Sequence, residues 1–176
     1  HGLALPDAAY AAGWPRSERA QYTGDFITAF ESTLPDAVFI DQCGQPVRLH
    51  DFADRYLVLQ MSALDCPACV LMAEGEGAFI DSLRSDGVEV ETITLMAPTL
   101  RDVLGLTEPA DLLEWAEVFD LHSPILQDRG YALWQFGGLT GEYGSYPTWI
   151  LVDPELQVFS SGIGFGSWDA LETRIR

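Results

Sequence analysis

The sequence contains no lysine and no asparagine, and its nine basic residues are all arginine. The missing lysine excludes Schiff-base catalysis and the lysine of a phosphate-binding P-loop. Against 27 acidic residues, the nine arginines leave a formal charge of −18 at pH 7. Such a surface repels phosphate backbones and anionic headgroups, which disfavours nucleic-acid binding and membrane-surface binding by charge. Apolar residues are too interleaved with charges to form the run of roughly 18 that a spanning helix needs, so no membrane span is expected. Three cysteines are too few for a disulfide scaffold in 176 residues, and the 10 prolines and 16 glycines are scattered rather than repeated. Length and a hydrophobic content of 48% suffice for one core. A soluble, globular protein with a single domain is expected.

The chain begins His1-Gly2 without an initiator methionine, which leaves room for an export signal upstream. Residues 1–35, with Pro6, Pro15 and Pro35, read as an N-terminal extension with one helix around Glu18 to Glu31. From residue 36 to 176 the pattern is that of a folded α/β domain. Ala37 to Asp41 and Pro46 to Leu49 are two short strands about the turn Gln42-Cys43-Gly44-Gln45, a hairpin. Asp51 is expected to cap a short helix through Phe52 and Ala53, and His50 beside it to be solvated. Tyr56 to Met61 is an apolar run of strand length whose near-continuity implies cover on both faces.

Pro67 sits at the first position of a helix whose apolar residues Cys69, Met72, Ala73, Ile80 and Leu83 recur at helical spacing. Gly75 and Gly77 should weaken or bend it midway. Glu74 to Glu76 read as solvated face. Val88 to Leu95 alternates as a strand, and Pro109 to Phe119 is a helix with Leu112, Trp115, Ala116 and Phe119 on its apolar face. Ile125 to Gln127 is a short strand, with a helical turn around Tyr131 to Phe136. Pro147 to Val152 and Leu156 to Phe159 form a hairpin about Asp153-Pro154-Glu155, and Trp168 to Ile175 is a terminal amphipathic helix. The long crossovers require parallel pairing early in the chain and the terminal hairpin antiparallel pairing. A mixed central sheet with helices on both faces follows.

Cys66-Pro67-Ala68-Cys69 lies between the first long strand and the helix, which puts both sulfurs on one helical face near the positive end of its dipole. That position favours a thiolate, the attacking species in thiol-disulfide exchange. Cys66, the more exposed, is the expected nucleophile, and Cys69, one turn in, the resolving thiol. Zinc needs about four ligands, and no second cysteine or histidine pair exists to supply them, so no metal is expected.

With this unit in place, the chain from about residue 36 to 175 resembles the thioredoxin superfamily, and within it the exported redoxin-type (AhpC/TSA superfamily) oxidoreductases of the ResA/TlpA kind. Three features carry the resemblance: the leading hairpin with Asp41 and Gly44, the strand-Cys66-Pro67-Ala68-Cys69-helix unit, and Tyr146-Pro147-Thr148 before the strand Trp149 to Asp153. The resemblance implies a thioredoxin-like fold with an N-terminal hairpin and a redox-active Cys66–Cys69 disulfide needing no other cofactor. It also implies protein thiol or disulfide substrates, an electron donor or acceptor, and an exported location. A monomer is expected. By the same resemblance Pro147 is cis and faces the cysteines, and Tyr146 offers its backbone to a bound peptide.

The sequence departs from that pattern near the site. Asp65 replaces the usual tryptophan before the first cysteine, and its charge should oppose thiolate formation. Gln60 stands where cytosolic thioredoxins carry a buried acid, and it cannot ionise. Met72 replaces a glutamate of several exported relatives, which leaves Glu74 or water as the proton acceptor for Cys69. Pro67 and Ala68, between the cysteines, complete the set of modulating residues.

Other readings compete with exchange chemistry. A peroxiredoxin-like peroxidase needs a threonine where Ala63 stands. A copper-binding relative would draw on His122, otherwise an ordinary loop histidine. A partner-binding module without turnover has no need of two cysteines. Cys43 reads as a bystander surface thiol, Trp115 and Phe119 as core, and Trp134, Phe136, Tyr143 and Tyr146 as either groove lining or packing.

Overall fold

The computed structural model describes residues 13–16, 28–102, 105–128 and 145–176. A hairpin of β1 (Val38–Ile40) and β2 (Pro46–Arg48) leads through a 3-10 turn (Leu49–Phe52) into β3 (Tyr56–Ala63). Then follow α1 (Pro67–Ser85), β4 (Val90–Ala97), α2 (Pro109–Phe119), β5 (Ile125–Gln127), β6 (Thr148–Val152), β7 (Val158–Ile163) and α3 (Trp168–Ile175). The five-stranded sheet has the order β5-β4-β3-β6-β7. β3, β4 and β5 run parallel, while β6 pairs antiparallel with both β3 and β7. This is the thioredoxin-like α/β arrangement, a mixed sheet preceded by a separate two-stranded hairpin. The expected helix at Glu18–Glu31 falls largely outside the described residues, and so do the turn at Tyr131–Phe136 and the aromatic residues Trp134, Phe136 and Tyr143.

Alternation along the central strands builds two cores. Leu57, Leu59 and Met61 of β3 join Ile93, Leu95, Ile150 and Val152 under the hairpin residues Phe39 and Val47 and the turn residues Leu49 and Phe52. On the other face Val58, Trp149 and Leu151 meet Met72, Phe79 and Leu83 of α1 and Leu171 and Ile175 of α3. A third cluster joins α2 (Leu112, Trp115, Ala116) to Met96, Ile125, Ala73, Cys66 and Cys69. β3 is buried along nearly its whole length because it is central, which explains its continuous apolar run.

Residues before β1 pack against the sheet and the hairpin. Leu34 is fully buried in the first core, the Trp14 indole N–H donates to Asp41 Oδ2 at 2.6 Å, and the backbone of Glu31 and Leu34 bonds to β7 and the turn before it. Gly44 closes the β1–β2 turn at φ +74°, a conformation that favours glycine.

Three local expectations need correction. Asp51 lies within the 3-10 turn rather than before it: Arg48 holds the N-cap position without a side-chain cap bond, and Asp51 faces Arg16 at 3.4 Å and Arg48 at 3.9 Å. His50 is buried rather than solvated, with Nε2 2.6 Å from the Leu34 carbonyl and its N–H donating to Asp36. Glu76 is buried although its neighbour Glu74 is exposed. A run of acids on a helix need not share one face, because each residue turns by about 100°.

α1 passes through both glycines unbroken. Gly75 lies where the Trp168 indole crosses the helix, and a Cβ there would sit 2.5 Å from Trp168 Cδ1. That indole is pinned by its N–H donating to the Met72 carbonyl at 2.9 Å and by stacking on Phe79 at 4.4 Å. Gly75→Ala should therefore destabilise the fold by about 1–2 kcal/mol, overpacking exceeding the gain in helix propensity. Gly77, with nothing within 4 Å of its would-be Cβ, should gain about 0.5–1 kcal/mol as alanine. Denaturant midpoints of the two variants check the opposite signs.

Candidate active site

β3 ends at Ala63 and the chain turns sharply into α1. The turn is closed by the Leu64 N–H donating to Ala97 O at 3.2 Å and the Cys66 N–H to Ala63 O at 3.1 Å. Cys66 is the N-cap residue of α1, with Pro67 as the first helical residue. Its sulfur accepts from the Cys69 N–H at 3.2 Å, satisfying one amide that a helix start otherwise leaves without a partner. Cys66 and Cys69 are joined as a disulfide with Cα atoms 5.2 Å apart. Both are buried, at 3% and 1% exposure. The expected contrast in exposure is thus slight in the oxidised state, because the sulfurs occupy one packed cluster.

Asp65 is exposed, and its Oδ1 accepts from the Leu100 N–H at 2.6 Å, which ties the turn before the cysteines to the loop after β4. Pro67 is exposed and Ala68 half-buried. The Tyr146–Pro147 peptide bond is cis. The Tyr146 ring packs against both the central core and the cluster that holds the disulfide, although the two are far apart in sequence. Its hydroxyl is buried, and burial together with the Asp128 carboxylate pushes its pKa upward. The Pro147 carbonyl accepts from the Gly164 N–H at 2.8 Å.

Gln60, in the middle of β3, is buried and donates from Nε2 to Glu76 Oε2 at 2.8 Å. The Thr92 hydroxyl donates to Glu76 Oε1 at 2.6 Å, and the Ser123 hydroxyl donates to the same oxygen. An ionisable acid therefore does stand beside Gln60, contributed by the helix instead of the strand. Burial raises the Glu76 pKa, and the three hydrogen bonds oppose that rise. Sequence reading missed this residue, yet the signal was present: Cys69, Ala73 and Glu76 follow the spacing of one helical stripe. Glu76 lies seven residues, or about 10 Å along the helix axis, from Cys69. Glu74, offered as a proton acceptor, is exposed on the other side of α1.

Glu76 also borders a cavity of about 380 Å³ lined by Arg84, Glu91, Asp120 and His122. His122 Nε2 is 3.5 Å from Asp120 Oδ1. Among the described residues no group of three or more histidine, cysteine or acidic side chains is arranged to hold a metal. Cys43 is free and half-buried in the hairpin turn, its thiol pKa pushed up by burial and by Asp41. Trp115 is buried against the half-buried Phe119, ring centroids 4.6 Å apart.

A two-cysteine disulfide capping the first helix after the central strand of this sheet defines a thioredoxin-like thiol-disulfide oxidoreductase. Residues 24–160 match the model of the AhpC/TSA family, and the chain belongs to that family. Among solved structures it is similar to the thioredoxin domain of a thiol-disulfide oxidoreductase from Bacteroides vulgatus (17% identity, TM-score 0.63, 84% of this chain and 99% of that one). A thiol:disulfide interchange protein from Chlorobium tepidum is comparable (16%, 0.64, 84% and 94%). So is an exposed lipoprotein thioredoxin from Streptococcus pneumoniae (23%, 0.58, 80% and 97%). A comparison with curated protein sequences returns no match.

Proposed function

We propose that the protein exchanges disulfides with protein substrates outside the cytoplasm, with Cys66 as the sulfur that attacks and is attacked and Cys69 as the resolving thiol. The observation that carries this reading is the Cys66–Cys69 disulfide at the N-terminus of α1, where the helix dipole and free amides stabilise a Cys66 thiolate. The pneumococcal lipoprotein thioredoxin among its structural relatives supports the extracytoplasmic location.

From the oxidised state, a substrate thiolate bonds to Cys66 Sγ and the Cys66–Cys69 bond breaks, leaving Cys69 as a thiolate. A second substrate thiol then displaces Cys66, forming the substrate disulfide. Two electrons pass to the protein, and the protons of the substrate thiols pass to its cysteines. The reverse sequence reduces a substrate disulfide. In this reading the backbone at Tyr146 and Pro147 lies along the bound polypeptide, while Asp65, Pro67, Ala68 and Gln60 modulate the thiol chemistry.

After reduction, Cys66 should be alkylated before Cys69 at neutral pH and faster than a free cysteine, as read by mass spectrometry of the labelled peptides. Cys69→Ser should trap a mixed disulfide through Cys66 with a small disulfide. First labelling at Cys69, or failure to trap any adduct, would count against these roles.

A further inference from the structure

Beside the disulfide lies a second, mostly apolar groove of about 310 Å³, lined by Leu64, Trp115, Val118 and Phe119 with Asp111 and Glu114 among its walls. Leu64 is two residues before Cys66, and Leu64, Trp115 and Phe119 pack in the cluster that contains both cysteines. Val118, in contrast, is 66% exposed, an apolar side chain presented to solvent. The carboxylates are also presented: Asp111 and Glu114 are exposed on α2, and Asp65 is exposed before Cys66. α2 carries Asp111, Glu114 and Glu117 and no basic residue, and from residue 98 to 128 seven acids face one arginine.

We propose that this groove selects the polypeptide segments with which the Cys66–Cys69 pair exchanges, taking a bulky apolar side chain near the substrate cysteine with an arginine or lysine beside it. This deepens the exchange reading and rests on it. Leu64, Trp115, Val118 and Phe119 remove the apolar side chain from water, which favours its binding. Asp111 and Glu114, both exposed, meet the cation. An acidic segment would meet the same carboxylates and the −18 net charge as repulsion. The charges are exposed, so the discrimination weakens as salt rises.

The test uses the reduced full chain and three short peptides, each a mixed disulfide between its single cysteine and thionitrobenzoate, whose release is followed by absorbance. The peptides place Leu and Arg, Leu and Glu, or Ser and Arg next to the cysteine. The Leu-Arg peptide should react with a second-order rate constant about tenfold above either of the others at low salt, and its advantage over Leu-Glu should shrink in high salt. In an Asp111→Asn, Glu114→Gln double variant the Arg-over-Glu ratio should fall to within about twofold of unity, and Val118→Ser should narrow the Leu-over-Ser ratio. Both are ratios within one variant, so a change in overall rate does not affect them. Equal rates for the three peptides, or a charge preference that survives the double variant, overturns the groove. Hydroxyethyl disulfide, small and neutral, separates the two readings: if it is reduced while the peptides are not distinguished, the groove alone fails. If neither it nor any peptide reacts, the exchange reading fails and the groove proposal with it.

Discussion

Glu76→Ala is expected to cost about 3–5 kcal/mol, a large part of the roughly 5–15 kcal/mol by which a domain is usually stable. The substitution removes the acceptor of three donors that are themselves buried: Gln60 Nε2, the Thr92 hydroxyl and the Ser123 hydroxyl. Each donor left without a partner in the interior costs about 1–3 kcal/mol, and the vacated volume adds to that. Glu76→Gln keeps the shape and one carbonyl acceptor and should cost far less. The pair of variants also isolates a pH dependence. Burial raises the Glu76 pKa above the 4.5 of an ordinary glutamate, so the folded state holds a proton that the unfolded chain releases. The stabilisation from that proton is fully present below about pH 4.5 and is lost as pH rises towards the folded-state value. Relative to Glu76→Gln, the protein should lose up to about 1.4 kcal/mol per pH unit across that window. Urea denaturation of both proteins from pH 4.5 to 8 reads the difference directly, because other titrating groups cancel. Parallel curves would show that Glu76 is ionised in both states.

Asp36→Ala should be the second large loss, about 2–4 kcal/mol. Asp36 accepts from Arg48 Nε at 2.6 Å and from the His50 N–H at 3.3 Å, and its carboxylate lies 3.8 Å from His50 Nδ1. Its side chain is 1% exposed while that of Arg48 is 19% exposed. Removing the acid leaves a largely buried guanidinium without this partner, which is more costly than the net strength of the pair. Partial solvent access to Arg48 keeps the loss below that of a fully enclosed pair. Asp36→Asn should lose about half as much, since an amide oxygen can still accept one bond. Amide exchange at His50 gives a local readout: protection should fall in Asp36→Ala before global unfolding, because the contact fastens the 3-10 turn to the segment entering β1. Unchanged exchange would contradict this role.

The elements with strong periodicity were legible in the sequence. Pro109 to Phe119 and Trp168 to Ile175 coincide with α2 and α3, and Pro67 opens α1 as its position implied. Strand ends were less legible. β4 runs Val90–Ala97 where alternation suggested Val88 to Leu95, and β7 runs Val158–Ile163 where Leu156 to Phe159 was expected. Strand ends are set by which neighbour remains to pair with, and Thr148 of β6 extends β7 by pairing with Ile163. The buried stripe of α1 uses Phe79 where Ile80 was expected, because the indole of Trp168 lies against Phe79.

The sequence by itself determined the α/β class, the strand-cysteine-proline-helix unit and the acidic surface, because these depend on local periodicity, spacing and composition. Only the tertiary structure decided which polar groups go inside. Glu76 and Glu74 are two residues apart, yet one meets Gln60, Thr92 and Ser123 from three other segments while the other meets water. His50 looked like a surface residue until Leu34 and Asp36 closed over it. The environment of a polar side chain is supplied by distant parts of the chain, and its burial is favourable only when their donors and acceptors arrive together. The groove beside the disulfide has the same origin, since the turn at Leu64 and the apolar face of α2 meet only after the sheet has brought β3, β4 and β5 side by side.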